Sequence, residues 1–251
     1  MRSRFFTVMA GTQLAVVLSG FTPTLYLRGY FQAPELPGYL AFHGLVLTAW
    51  FALQLLQARL ANTRRMRWHR ALGWVGAAVA VGVVVTSALA AVGTLEHPRV
   101  QFPMELPQPA GMELIERKSA SLFNTLALLL IFTVLLTAAL LQRHRPTSHK
   151  RLMSIASAVI ASAAAFRWPF LLAGLGVSPQ LSLAIGGRAG IVVSLLLIAA
   201  VAVYDTVTVR RVLPATWWGA GVTVSVYMLV FPLGATQFGL AWAASMMHGA
   251  G

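Results

Sequence analysis

The chain has 251 residues, 58% of them hydrophobic and only 10% charged, whereas a soluble domain carries about 25% charged residues; its polar groups are too few to cover a water-exposed surface. Lys and Arg number 19 against 6 Asp and Glu, but they sit in short clusters between apolar runs and lack interleaved aromatics, which argues against nucleic acid and for a membrane surface. With no Cys, disulfides, thiolate metal sites and a Cys nucleophile are excluded.

Seven apolar runs follow in order, each too long for a membrane-spanning strand and each expected to be a helix, which satisfies its own backbone in lipid. The first is Phe5 to Leu27, read as a retained span because no small-residue cleavage pattern follows MRSRFF. The loop RGYFQAPELPG, with Pro34 and Pro37, leads to the second, Tyr39 to Leu60, which ends in ANTRRMRWHR. The third is Ala71 to Thr94, followed by a long loop punctuated by Pro98, Pro103, Pro107 and Pro109. Next come Ser119 to Gln142, closed by RHRPTSHKR, and Leu152 to Leu175, with Pro169 in RWPF marking a kink. The sixth and seventh are Leu181 to Tyr204 and Trp217 to Thr236, separated by DTVTVRRVLPAT, and the tail QFGLAWAASMMHGAG is expected to form a short helix at the outer interface. The fold class is therefore all-α: one polytopic transmembrane bundle over residues 1–251, of about seven spans.

Charge sets the orientation. Arg2, Arg4, Arg59, Arg64, Arg65, Arg67, Arg70, Arg143, Arg145, Lys150, Arg151, Arg210 and Arg211 fall at the N-terminus and after the second, fourth and sixth runs. The opposite loops hold Arg28, Arg99, Arg117 and Lys118. The positive-inside rule predicts N-in and C-out, in the cytoplasmic membrane of a bacterium, with Trp68, Trp74, Trp217 and Trp218 as an inner aromatic belt. A weak repeat relates Arg65-x3-His69-Arg70-Ala71-Leu72 to Arg145-x3-His149-Lys150-Arg151-Leu152, and predicts a duplicated hairpin whose equivalent histidines face each other. RRVLPATWWGAG is a fainter third copy, with Leu213 in place of the His. Glycines from Gly73 to Gly82 predict tight helix packing.

Polar groups within the spans are costly in lipid and are the candidate functional residues. At about 1.5 Å per residue, His43, Asn124, Arg167 and Arg188 reach similar depths near the outer side, where they line a pocket for an anionic guest: a carboxylate, a phosphate headgroup or haem propionates. Against this, the arginines reach the outer interface or pair with Glu35, Glu105, Glu113 or Glu116. A second group, Gln54, Gln57, His69, His149 and Asp205, lies at the inner side, with Asp205 expected to pair with Arg210 and Arg211. Neutral imidazole ligates haem or a metal, so His43, His69 and His149 are the candidate ligands. No HExxH, P-loop, GxSxG, carboxylate cluster or intramembrane Lys is present.

The segments YLRGYFQAPELP, HGLVLTAWFALQLLQ, RWHRALGWVGA, HKRLM and RWPF, in the order HG…HRxLG…HKRLM, resemble a largely uncharacterised family of bacterial multi-span membrane proteins over most of the chain. Members often carry RVHPATLWG after the sixth span; here RRVLPATWWG departs at Leu213. The general look is similar to small b-type cytochrome membrane proteins, although those place two ligand histidines on one helix and His43 and His69 lie on different runs. These readings imply a membrane protein that binds haem b or a quinone between its helices for electron transfer or membrane oxidoreductase chemistry. The alternatives are a transporter or a lipid- or small-anion-binding protein, and a non-catalytic assembly subunit. Its partners are membrane lipid and other membrane subunits or further copies of itself.

Overall fold

The computed structural model describes residues 4–33, 35–96 and 111–248, and every regular element among them is a helix. Pro34, His97, Arg99, Glu105 and the prolines of the long loop lie outside the described residues. The elements are α1 (Phe5–Phe21), continued by a π-helical turn (Thr22–Tyr26), α2 (Gly38–Asn62), α3 (Met66–Glu96), α4 (Gly111–Leu141), α5 (Pro146–Ala165) and α6 (Trp168–Gly174). Then come α7 (Pro179–Val209), α8 (Pro214–Val230), continued by a 3₁₀ turn (Phe231–Ala235), and α9 (Gln237–His248). Six of these, α1 to α4, α7 and α8, are long and apolar enough to cross a membrane, and α5 with α6 makes a seventh crossing if the pair, bent by about 40°, is counted as one.

Three tight turns gather the arginine clusters at one end of the bundle. After α2, Arg64 adopts φ 61° while the Arg65 amide donates to the Leu60 carbonyl at 2.9 Å, a helix stop that more often uses Gly. After α7, Arg210 does the same with φ 58°, its amide on Thr206 O at 3.1 Å. Pro146, Pro179 and Pro214 each open the next helix, where a missing N–H is no loss.

Helix α5 is the axis of the fold. Thirteen of its twenty residues are buried, and it packs against α1, α4, α7 and α8. Its sequence after Arg151 is mostly Ala and Ser; small side chains let neighbouring backbones approach, which is how helices associate when lipid gives no hydrophobic incentive. At Gly20 of α1 a Cβ would collide with the Ala164 carbonyl, and at Gly219 of α8 it would meet Ile155 Cδ1 at 2.8 Å. The expected glycine run packs more loosely: Gly76 and Gly82 face Leu53 and Val46 of α2 at ordinary distances, and Gly73 faces open space. Polar links tie α5 to the rest. Gln13 Nε2 of α1 donates to Ser154 O at 2.9 Å, while Trp50 Nε1 and Gln54 Nε2 of α2 both donate to Ser157 Oγ, at 3.2 and 2.8 Å.

The strongest tie is at the arginine-rich end. Arg151 of α5, 2% exposed, and Asp205 of α7, fully buried, form an ion pair. Nε donates to Oδ1 at 2.7 Å, the second guanidinium branch donates to the same oxygen, and the third donates to Thr147 O at 2.7 Å. Oδ2 accepts from Thr216 Oγ1 at 2.6 Å and from the Leu213 amide at 3.1 Å, both at the start of α8. The rings of Phe6 and Tyr204 close over the guanidinium. Asp205 thus pairs with Arg151 across 54 residues and not with the adjacent Arg210 and Arg211, which are exposed. Removing one partner of such a pair leaves a buried charge uncompensated, at a cost of about 3–5 kcal/mol. Asp205→Asn is therefore expected to lower the thermal unfolding midpoint in detergent by that much stability, whereas Arg211→Ala changes it by less than about 0.5 kcal/mol.

Candidate functional site

Two polar clusters remain once this structural pair is set aside, one at each end of the bundle. Asp205 has both oxygens occupied by the bonds described above and offers no free group for acid–base work.

At the end away from the arginine clusters, the helices become irregular together. The last turn of α1 widens into the π-helical turn, α8 tightens into its 3₁₀ turn, and α5 breaks at Phe166–Arg167. Pro169 lacks the amide that would continue the helix, and the Phe166 ring fills the space beside Gly190 of α7, where a Cβ would clash. Non-helical backbone at membrane depth is tolerated where it is buried in protein or lines a cavity, and π-turns often mark functional positions. Arg167 folds back over this break. Its guanidinium donates to Ala163 O and lies 5.0 Å from the centre of the Phe21 ring, and Trp168 Nε1 donates to Ser19 Oγ at 3.0 Å.

His43 lies in the second turn of α2 and is half-buried. Its Nδ1 is 3.2 Å from Thr86 Oγ1 of α3. The single hydroxyl proton of Thr86 is donated to Gly82 O at 2.7 Å, so Thr86 must accept, and His43 Nδ1 carries the proton. In the neutral ring the lone pair is then on Nε2. The same logic makes Tyr26 Oη of the π-helical turn the donor to Thr48, because Thr48 donates to Gly44 O at 2.7 Å.

His43 thus bonds to α3 and Arg167 to the end of α5 and the Phe21 ring. Asn124 is half-buried on α4 and makes no hydrogen bond among the described residues. Arg188 is exposed on α7 and makes no hydrogen bond or ion pair among them.

At the arginine-rich end the two copies of the repeat have the same local geometry. The His69 amide donates to Arg65 O and the His149 amide to Arg145 O, both at 3.0 Å, so each imidazole sits in the first turn of its helix. The third copy is out of register: there Leu213 is the residue before the helix, and Trp217, whose amide donates to Leu213 O at 3.1 Å, occupies the position of the histidines. His149 Nδ1 lies 2.8 Å from Ala139 O of α4. A carbonyl only accepts, so Nδ1 is protonated and Nε2 again holds the lone pair. His69 Nδ1 and Gln57 Oε1 are buried without a hydrogen-bond partner, and the His69 ring lies beside the Gln57 backbone.

His43 and Gln57 share α2 and are separated by about 21 Å along its axis at 1.5 Å per residue. His43 therefore shares no ligand with His69 and His149, and no group of three or more His, Asp or Glu gathers as a metal site among the described residues. Three further polar groups, Gln13, Arg151 and Thr216, tie the helices of the bundle together, and no sequence motif marks that role. Gln13 is the one amide inside the first apolar run; Arg151 stands in the sequence as a topogenic charge, and Thr216 carries no signal there.

No family model, curated protein or solved structure matches this chain.

In protein labelled with ¹⁵N-histidine, at alkaline pH, His43 and His149 are expected to give the tautomer protonated at Nδ1. Thr86→Val should return His43 to a mixture of tautomers without changing His149; an unchanged His43 signal would contradict the assignment.

Proposed function

We propose that this chain is a seven-span protein of the bacterial cytoplasmic membrane, with its N-terminus and arginine-rich turns in the cytoplasm, that binds haem b or a quinone between its helices for electron transfer or membrane oxidoreductase chemistry. The orientation is supported by the concentration of Arg and Lys at one end of the bundle. The observation that carries the cofactor reading is that His43 and His149, at opposite ends, each have Nδ1 committed to a neighbouring helix and Nε2 left as a lone pair. Metal-ligating histidines are typically oriented by such a bond from the other nitrogen, which fixes the tautomer and raises ligand basicity. The same lone pair accepts a proton from a quinol hydroxyl, and an arginine at the His43 end of the bundle, Arg167, is of the kind that pairs with a haem propionate.

A second reading, a transporter or a lipid- or small-anion-binding protein, is favoured by one observation: α5 and α6 are interrupted at a cationic residue, and broken helices line many transport sites. An assembly role beside other membrane subunits shares the same fold without a cofactor.

An oxidised-minus-reduced spectrum of the purified protein, with solvent extraction of bound quinone, separates these readings. A Soret band or a stoichiometric quinone is expected; a colourless protein without extractable quinone leaves the transport and assembly readings. Reporter fusions are expected to place the turns at Arg64, Arg143 and Arg210 in the cytoplasm and the segment between α3 and α4 outside.

A further inference from the structure

We propose that the start of α3 is a binding site for an anionic phospholipid, with the phosphate on Arg67 and Arg70 and the acyl chains along Trp74, Val81 and Val85. The site is at the arginine-rich end and is independent of the cofactor reading.

The side chains of that end select an oxyanion. Every described arginine there except Arg151 is exposed, and none of these is ion-paired among the described residues. The one described carboxylate at this end, Asp205, is already occupied by Arg151, Thr216 and the Leu213 amide. The one lysine there, Lys150, is half-buried with its ammonium over the Phe6 ring. A charge bias that only set orientation would use Lys as readily as Arg. Guanidinium is the group that holds a phosphate by two parallel hydrogen bonds.

The face of α3 selects a lipid over a free anion. At helical spacing Arg67, Arg70, Trp74, Val81 and Val85 share one side of the helix, and all five are exposed. Trp74, at 82%, is the most exposed large hydrophobic side chain among the described residues, and Val81 and Val85 are 63% and 50% exposed. Long helical side chains lean toward the N-terminus, which carries the Trp74 indole toward the arginines. Beside it Gly73 adds no side chain, and a Cβ there would meet nothing within 4 Å. From Arg70 to Val81 the helix rises about 17 Å, close to half of a hydrocarbon core of about 30 Å. The face thus presents two cations, then an interfacial ring, then apolar surface to the depth of one leaflet. A guest with an anionic head and an apolar tail matches that order. A nucleic acid would leave the apolar part uncovered, and a second copy in the same orientation would set cation against cation. The other two arginine turns lack the arrangement. Arg143 and Arg145 precede α5, which carries no tryptophan, and Arg210 and Arg211 precede Pro214, off the helix that carries Trp217 and Trp218.

The test uses the full-length protein, delipidated in detergent, with phosphatidylglycerol or phosphatidylcholine of the same acyl chains added back. Bound lipid is read by native mass spectrometry, and the thermal unfolding midpoint is read alongside. Phosphatidylglycerol is expected to be retained and to raise the midpoint, and phosphatidylcholine to do neither. Arg67→Gln with Arg70→Gln should weaken the tightest phosphatidylglycerol site by about thirtyfold, and Trp74→Ala should weaken it by a smaller factor. Both should keep the lipid-free midpoint of the parent, which separates lost binding from lost folding. Arg143→Gln with Arg145→Gln removes the same charge from a turn without tryptophan and should change binding by less than about twofold. Equal retention of the two lipids, or equal weakening by the two double variants, overturns the assignment. So does full competition by inorganic phosphate or a short DNA duplex, or a dimer that Trp74→Ala dissociates. None of these outcomes bears on the cofactor reading, which the absorption spectrum and quinone extraction decide.

Discussion

The carboxylate of Asp205 and the guanidinium of Arg151 are withdrawn from solvent together, at the end of a bundle whose other buried side chains are mostly apolar. Two such charges are expensive to desolvate, and the arrangement holds only because each has its remaining hydrogen-bonding capacity met: Thr147 O on one side, Thr216 and the Leu213 amide on the other. The consequence is geometric. One carboxylate fixes α5, α7 and the start of α8 in a single register. Because Arg151 is two residues from His149, the same lock sets where that imidazole stands. Ser157, two turns further along α5, then receives Trp50 and Gln54, so that α2, and through its short turn α3 with His69, is registered against the same helix.

Helix α5 accepts this role because it is shielded from lipid by four neighbours. It carries Ser, Ala and an ion pair where a lipid-facing span would carry Leu and Val. The polar face that results faces protein, and its Gly and Ala contacts let backbones meet, as at Gly20 and Ala164. At Phe166–Arg167 the helix breaks. The bundle therefore has two chemically distinct ends: a cationic end with two imidazoles from equivalent hairpins, and an irregular end with one imidazole and one guanidinium.

Much of this was legible in the sequence. The apolar runs gave the helices, and RWPF gave the break in α5. Hydropathy underestimated length where helices continue beyond the apolar core: α3 starts at Met66, not Ala71, and α4 at Gly111, not Ser119, because those turns are polar yet have free backbone groups that a helix satisfies. Depth along a helix follows from counting residues, and the Arg-x3-His repeat places His69 and His149 in the first turns of α3 and α5. Rotation about a helix axis does not follow from counting. That is why the exposure of Arg188 on α7 is not legible from its depth, and why the sequence points Asp205 at adjacent arginines when its partner lies 54 residues away. The tautomers of His43 and His149 depend on what Thr86 and Ala139 do in space, which no local pattern encodes.

The central claim, that the Arg151-anchored core brings two equivalent histidines together while leaving the third at the far end, has a direct test that the absence of cysteine makes clean. His69→Cys and His149→Cys, introduced together, should be joined by a short bifunctional thiol reagent, as read by mass spectrometry of the cross-linked peptides. His43→Cys paired with His149→Cys should not be joined. A cross-link in the second pair and none in the first would contradict the account.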